Sequence, residues 1–174
     1  MRGVAVVLDS LYDAGNQAAA FRSVEAFGFM DCHVVNPAAA KKGNPRAVSR
    51  GAEKWLDLHI WQHADEAIAA LRRERRVIWI ADVRNAVPIH QVDFSRPVAL
   101  VFGAEHSGIS PAFREAADGA FTVPTVGFVE SLNISAAATA TLAIARAQRE
   151  RAIGARTDLT ATERDDLYRD YCAR

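Results

Sequence analysis

The stretch Val98-Ala99-Leu100-Val101-Phe102-Gly103-Ala104-Glu105-His106-Ser107-Gly108-Ile109-Ser110 decides the class of fold. Val98 to Phe102 is an apolar run of strand length, and an unbroken run of this kind suits a strand covered on both faces, as in a parallel sheet. It ends in a loop that holds a carboxylate between two glycines, at the edge of the sheet where α/β proteins place ligands. Outward from it, Val4 to Leu8, Val77 to Ala81 and Ala120 to Val123 are further runs rich in β-branched or aromatic residues and bounded by turn-formers or charges, and Phe29 to Val35 is a weaker one.

Helical segments lie between these runs. Asn16 to Phe27 is closed by Gly28, and Asp65 to Arg75 has an acidic start and a basic end that suit the helix dipole. Ser110 and Pro111 open a short helix, and alanine-rich Ile134 to Arg151 forms a long one ending before Gly154. A last helix starts at Thr160, whose spacing to Glu163 makes a capping box. The alternation predicts an α/β fold with a mostly parallel sheet flanked by helices. We expect one domain over residues 1–153 and a helical tail over 154–174, since the break at Gly154 to Asp158 separates a terminal helix from the rest. About a dozen residues make a helix that is marginal alone, so the tail must dock on its own core or on a second subunit.

A chain of 174 residues, half of them hydrophobic, is long enough for one substantial core. No apolar stretch is long enough to cross a bilayer, and Met1-Arg2-Gly3-Val4 runs into the first strand without a signal-peptide pattern, so a cytoplasmic protein with no membrane partner is expected. Cys32 and Cys172 cannot build a disulfide framework or a four-cysteine zinc cluster and are read as packing residues. The 21 basic and 21 acidic residues cancel, yet the basic ones gather at Lys41, Lys42, Arg46 and Arg50 and again at Arg72, Arg73, Arg75 and Arg76. Such patches can follow a phosphate backbone on a neutral protein, or form a solvated face.

Several familiar sites fail on inspection. Gly103 to Gly108 has the glycine spacing of a phosphate loop, but Ile109 stands where the loop lysine belongs. No Gly-x-Gly-x-x-Gly follows the first strand, which argues against an ordinary dinucleotide site. His59 and His63 have the spacing of two ligands on one helical turn but lack the glutamate of a zinc protease helix and an obvious third ligand, so no metal is expected.

Three segments break local rules in ways that suggest a site. In Asp13-Ala14-Gly15-Asn16-Gln17-Ala18-Ala19-Ala20-Phe21-Arg22, Asn16 reads as a helix N-cap, but Arg22 on an alanine-rich and aromatic helix is harder to place. The second is the Glu105 loop, whose glycines favour close approach of backbone to another chain or a ligand. In Pro124-Thr125-Val126-Gly127-Phe128-Val129-Glu130-Ser131-Leu132-Asn133-Ile134-Ser135, three polar groups alternate with Leu132 and Ile134 at the mouth of the long helix, more than one cap requires.

In order and spacing these segments closely resemble the three motifs of the SPOUT superfamily of RNA methyltransferases, specifically the SpoU or TrmH family of ribose 2'-O-methyltransferases. The resemblance implies S-adenosylmethionine as cofactor, held in a C-terminal trefoil knot by backbone around Ala81, Gly103, Val123 and Leu132, with Gly127 allowing close packing. It implies a homodimer in which Arg22 meets the cofactor pocket at the subunit interface. Ser131 and Asn133 would fix the ribose and the pocket, Asn16 would support Arg22, and Glu105 would brace the knot or the dimer contact. Arg22 would be activated by the RNA phosphate beside the target ribose, or would orient that phosphate while another group accepts the proton.

Ser49-Arg50-Gly51-Ala52-Glu53-Lys54-Trp55-Leu56 and Arg146-Ala147-Gln148-Arg149-Glu150-Arg151 are similar to the tRNA branch that methylates guanosine 18. Lys41, Lys42, Arg46 and Arg50 would then contact RNA. The flanks that help grip tRNA in that branch are absent or short here, so another tRNA or an rRNA nucleotide is the alternative substrate. An inactive RNA-binding homologue and a small-molecule enzyme with a nucleotide cofactor are the competing readings.

Overall fold

The computed structural model describes residues 1–35, 51–105, 107–129 and 131–173. Its strands are β1 (Val4–Asp9), β2 (Asp31–Val35), β3 (Asp57–Trp61), β4 (Val77–Ala81), β5 (Val87–Pro88), β6 (Val98–Gly103) and β7 (Gly119–Thr122). They form one seven-stranded sheet in the order β3-β2-β1-β6-β4-β7-β5, every pairing parallel. The helices are α1 (Ala14–Ala26), α2 (Ala64–Arg73), α3 (Pro111–Ala116), α4 (Ile134–Ile153) and α5 (Ala161–Ala173).

The central pair explains the three layers. All residues of β1 and β6 are buried, and alternate side chains enter opposite layers because successive residues of a strand point to opposite faces. Val4, Val6, Leu8, Leu100 and Phe102 pack with Phe21 and Val24 of α1 and Leu142 of α4. Ala5, Val7, Ala99 and Val101 pack on the other face with Ala67 and Leu71 of α2 and Phe113 of α3. Since all strands are parallel, the C-terminal ends of β1, β4, β6 and β7 share one edge.

The expected strands and helices are present with small shifts in their ends, and two strands are additional: the edge strand β3 and the two-residue β5. Helix α1 begins earlier than expected. Its cap is Asp13, whose carboxylate accepts from the Asn16 backbone N–H at 2.7 Å, so the Asn16 side chain is released from capping. The long helix ends at Gly154 with φ of 66°, a conformation glycine adopts without steric cost. Thr160 and Glu163 form the capping box, with Thr160 N–H donating to the Glu163 carboxylate at 2.7 Å and Glu163 N–H to the Thr160 hydroxyl at 3.2 Å. Helix α5 buries no residue and touches the body through Tyr171, whose hydroxyl donates to the Trp55 carbonyl at 3.0 Å and whose ring meets Trp55 edge to face. Ahead of it, Asp158 accepts from the N–H groups of Arg2 and Gly3, both at 2.8 Å, and pairs with Arg149.

Three expectations are corrected here. The Arg72 to Arg76 cluster is not simply a solvated face: Arg76 is 7% exposed and paired with Asp31 at 2.5 Å, and Arg72 binds Asp118 at 2.6 Å. His59 lies on β3 and His63 on the turn into α2, so they do not share a helical turn. Cys32 is buried, its thiol pKa pushed up by burial, but Cys172 is exposed and so is no core residue. Lys41, Lys42, Arg46 and Arg50 lie outside the described residues. No described helix is long and apolar enough to cross a membrane.

Candidate active site

The loops that leave β4, β6 and β7 at the shared edge, together with the start of α4, enclose a cavity of about 370 Å³. That is a size fit for a nucleoside-sized ligand. One part of its wall is apolar, with Phe102, Phe121, Val123, Leu132 and Ile134; the other carries Asp82, Glu105, Thr125, Ser131 and Asn133. The rings of Phe102 and Phe121 meet edge to face with centroids 5.9 Å apart.

A built loop carries Glu105. Gly108 N–H bonds the Ala104 carbonyl at 2.8 Å, folding the loop so tightly that a Cβ on Gly103 would stand 2.3 Å from the Gly108 carbonyl carbon. Asp9, buried at the end of β1, accepts from the Ser110 N–H at 2.7 Å and anchors the far end of the loop.

Three side chains from distant segments then converge. Asn133 caps α4: its Oδ1 accepts from the Ser135 N–H at 2.9 Å and from the Ser135 hydroxyl at 2.6 Å. With its oxygen committed to the helix, its amide nitrogen turns outward and donates to Glu105 Oε1 at 2.7 Å and to Asn16 Oδ1 at 3.2 Å. Asn16, freed by the Asp13 cap, donates to the same Glu105 oxygen at 3.1 Å.

Four of the five residues expected to hold a cofactor, Ala81, Gly103, Val123 and Leu132, line the cavity; Gly127 is exposed on the loop outside it, and a Cβ there would meet nothing within 4 Å. Ser131 lines it as well. Arg22 does not. It borders a separate open groove with Ala19, Ser23, Lys54, Trp55 and Thr139, exposed and without a hydrogen bond or ion pair to any described residue. Beside the groove, Ser23 of α1 and Thr139 of α4 share a hydrogen bond of 2.7 Å, and Thr139 donates to the Ser135 carbonyl at 2.7 Å.

Asp82 is a wall residue that the sequence did not single out. Burial raises its pKa, but the Arg84 N–H, at 2.9 Å, and the Arg114 guanidinium reverse this and hold the carboxyl below the usual range. Its only sequence signal is its place one residue beyond a strand.

On the far side of the sheet, Asp31, His33 and His59 form a group with metal-ligand types. Trp61 donates its indole N–H to His33 Nδ1 at 2.9 Å, and His33 Nε2 lies 3.0 Å from Asp31 Oδ1. Arg76 holds the other oxygen of Asp31.

The model of the SpoU rRNA Methylase family matches residues 3–143. The tRNA (guanosine(18)-2'-O)-methyltransferase of Thermus thermophilus is 34% identical over 150 residues, which cover 84% of this chain and 76% of that protein. Among solved structures, the A. aeolicus TrmH/SpoU tRNA modifying enzyme superposes with a TM-score of 0.83 at 24% identity, over 98% of this chain and 88% of that one, a likeness of fold. The SpoU methyltransferase AviRb of Streptomyces viridochromogenes, in complex with AdoMet, superposes with a TM-score of 0.73 at 26% identity, over 84% of this chain and 60% of that one.

Proposed function

This chain belongs to the SpoU rRNA Methylase family, and from that premise we propose that it transfers a methyl group from S-adenosylmethionine to the 2'-hydroxyl of an RNA ribose, at guanosine 18 of tRNA. The observation that carries the reading is the convergence of Asn16, Glu105 and Asn133 at the cavity walled by the ends of β4, β6 and β7. The name of the Thermus relative supports guanosine 18. S-adenosylmethionine supplies an activated methyl group on a sulfonium.

The cavity suits that cofactor. The apolar wall of Phe102, Phe121, Val123, Leu132 and Ile134 accepts a base, and the loop after β6 keeps its tight fold beside it because Gly103 has no Cβ to meet Gly108 and Ile109. Ser131 and Asn133 orient the ribose at the polar end, and catalysis comes largely from holding the hydroxyl in line with the methyl group. Asp82 or Glu105 at the wall suits a cation such as the sulfonium.

In this reading the segment from Ser131 onward is the threaded part of a trefoil knot, and residues 1–153 form the methyltransferase domain with 154–174 as its tail. The enzyme works as a homodimer. Arg22 of a protomer lies outside that protomer's own cavity, and Val126 and Phe128 beside the cavity are fully exposed, which supports an arrangement where a partner subunit covers the loop and contributes its arginine. The arginine grips the phosphate next to the target ribose, and a cytoplasmic setting suits an enzyme of tRNA. No step calls on a metal.

Incubation with labelled S-adenosylmethionine and unmodified total tRNA, followed by mapping, tests the assignment. Label is expected on the ribose of guanosine 18; label confined to rRNA would move the substrate and leave the chemistry. Arg22→Ala should lower turnover at least about a hundredfold, with Arg22→Lys recovering part of it by retaining charge without the planar fork. Near-normal turnover by both would remove Arg22 from the mechanism.

A further inference from the structure

We propose that Asp31, His33 and His59 bind one divalent transition-metal ion of the zinc class, at a place separate from the cavity and independent of the methyltransferase reading. The three residues belong to β2 and β3, two and three strands from the nearest strand that walls the cavity. Strand register brings them together. His33 stands directly across from His59, and Asp31, two residues before His33, shares its face of the sheet. One ligand atom from each lies within 4.8 Å of the others.

Two of these atoms are buried and without a partner. His33 is 1% exposed and Asp31 7%, yet neither His33 Nε2 nor Asp31 Oδ1 makes a hydrogen bond to a described residue. They stand 3.0 Å apart, the separation of a hydrogen bond without its alignment. Leaving buried polar atoms unpaired is costly, and an ion between these two satisfies both at once. Ligand atoms around a tetrahedral ion at ordinary zinc bond lengths are ~3.3 Å apart. Asp31 Oδ1 has that spacing from both rings, 3.0 Å from His33 Nε2 and 3.3 Å from His59 Nε2. The His59 side chain is 45% exposed on an edge strand, so it can turn to complete the set and leave one position to solvent.

The donor set selects the ion. Two imidazoles and a carboxylate suit zinc and its neighbours, whereas calcium and magnesium take oxygen ligands. Arg76 holds Asp31 Oδ2 at 2.5 Å and is itself held by Glu74 and the Arg2 carbonyl, which fixes the carboxylate with Oδ1 toward the histidines. Burial raises the Asp31 pKa, but His33, Arg76 and His59 more than reverse this, so the carboxylate is ionised in neutral solution. Asp57, the other acid of this face, is paired with Arg2 at 3.2 Å.

Trp61 competes with the ion. Its indole N–H donates to His33 Nδ1 at 2.9 Å, whereas a neutral ring that ligates through Nε2 carries its proton on Nδ1. Ion binding therefore turns the indole away from His33. Because the indole is stacked with both histidines, at centroid distances of 5.9 and 6.3 Å, its emission should report the event.

The full chain, freed of metal by a chelator that is then dialysed away, is titrated with zinc chloride by calorimetry and with cobalt chloride by visible absorption. Native protein is expected to take up one ion per chain, to melt higher with zinc, to change its tryptophan emission, and to give tetrahedral cobalt bands without a thiolate charge-transfer band. His59→Ala should weaken zinc binding at least about tenfold and abolish the rise in melting temperature. His90→Ala, at an exposed histidine outside the group, should do neither. Trp61→Phe should bind zinc about five- to tenfold more tightly, the worth of the competing hydrogen bond, and lose the emission change. Absence of saturable zinc binding by the native protein would overturn the proposal. So would equal affinity in His59→Ala, which places the ion elsewhere, or a cobalt–thiolate band, which places it on a cysteine. If His59→Ala does not fold, the cobalt spectrum and Trp61→Phe still decide: weaker zinc binding by Trp61→Phe removes His33 from the ligands.

Discussion

Replacing Gly103 by alanine would put a methyl group 2.3 Å from the carbonyl carbon of Gly108 and 2.5 Å from the Ile109 nitrogen. Both neighbours are backbone, so the loop must open, at a cost of about 1–3 kcal/mol for overpacking. The expected result is a lower denaturation midpoint together with at least about tenfold weaker S-adenosylhomocysteine binding. Gly127→Ala is the contrast: nothing lies within 4 Å of the added atom, and stability should stay within about 0.5 kcal/mol of native. If Gly127→Ala weakens product binding as much as Gly103→Ala, the loop closes onto the cofactor when it binds. Glu105, Ser131 and Asn133 were legible as candidates because polar groups interrupt apolar patterns there. Asp82 was not, since an acid just beyond a strand looks like any turn-former. The meaning of Asn16 depended on which residue caps α1, and both Asp13 and Asn16 are good caps. Only the fold, by giving the cap to Asp13, frees Asn16 to reach a glutamate that is remote in sequence.

Among the elements, α5 tests how a tail with no buried residue stays helical. Its start is fixed by the reciprocal Thr160 and Glu163 bonds, so Thr160→Ala should cost about 1 kcal/mol locally. Amide exchange is the measurement: Ala161 to Arg164 should lose protection in the variant while β1 and β6 keep theirs. Equal loss in the central strands would mean that α5 is coupled to the core more tightly than its Tyr171 contact with Trp55 implies. The capping box was readable because its spacing is local. Strand β3 was not, because Asp57 and His59 punctuate it and an edge strand half open to solvent needs no apolar run. Its pairing with β2 is what brings His59 beside His33 and Asp31, and no local pattern announces that. Arg76 likewise read as one of a run of surface arginines, whereas the Asp31 carboxylate at the start of β2 draws it inside.

At the scale of the molecule, four aspartates tie separate elements together: Asp31, Asp82, Asp118 and Asp158. In each, burial alone raises the pKa, and hydrogen bonds and cationic neighbours more than reverse it, so the folded value lies below the ordinary one. A depressed folded pKa stabilises above the unfolded value, near 3.9 for aspartate, and that stability disappears as pH falls through the folded value. Melting temperature should therefore be flat from about pH 5 upward on account of these groups and decline below about pH 4. Asp31→Asn should make the acid decline shallower while lowering the plateau, because buried Arg76 loses its buried partner and keeps only the half-exposed Glu74 as counter-ion. A plateau unchanged by Asp31→Asn would show that water reaches Arg76. The parallel sheet and its flanking helices could be anticipated from apolar runs and caps, but the strand order could not, since pairing of β1 with β6 joins Val4 to Val98 and skips everything between. That pairing bears on synthesis. While the chain is emerging from a ribosome, β1 is made early with all six residues destined for the interior, and its central partner is made only after more than half of the chain. Until then an apolar edge is open, a hazard for aggregation that long-range parallel pairing carries in general. Nascent chains halted before β6 should need a chaperone to stay in solution, and chains released past Gly103 should need it less.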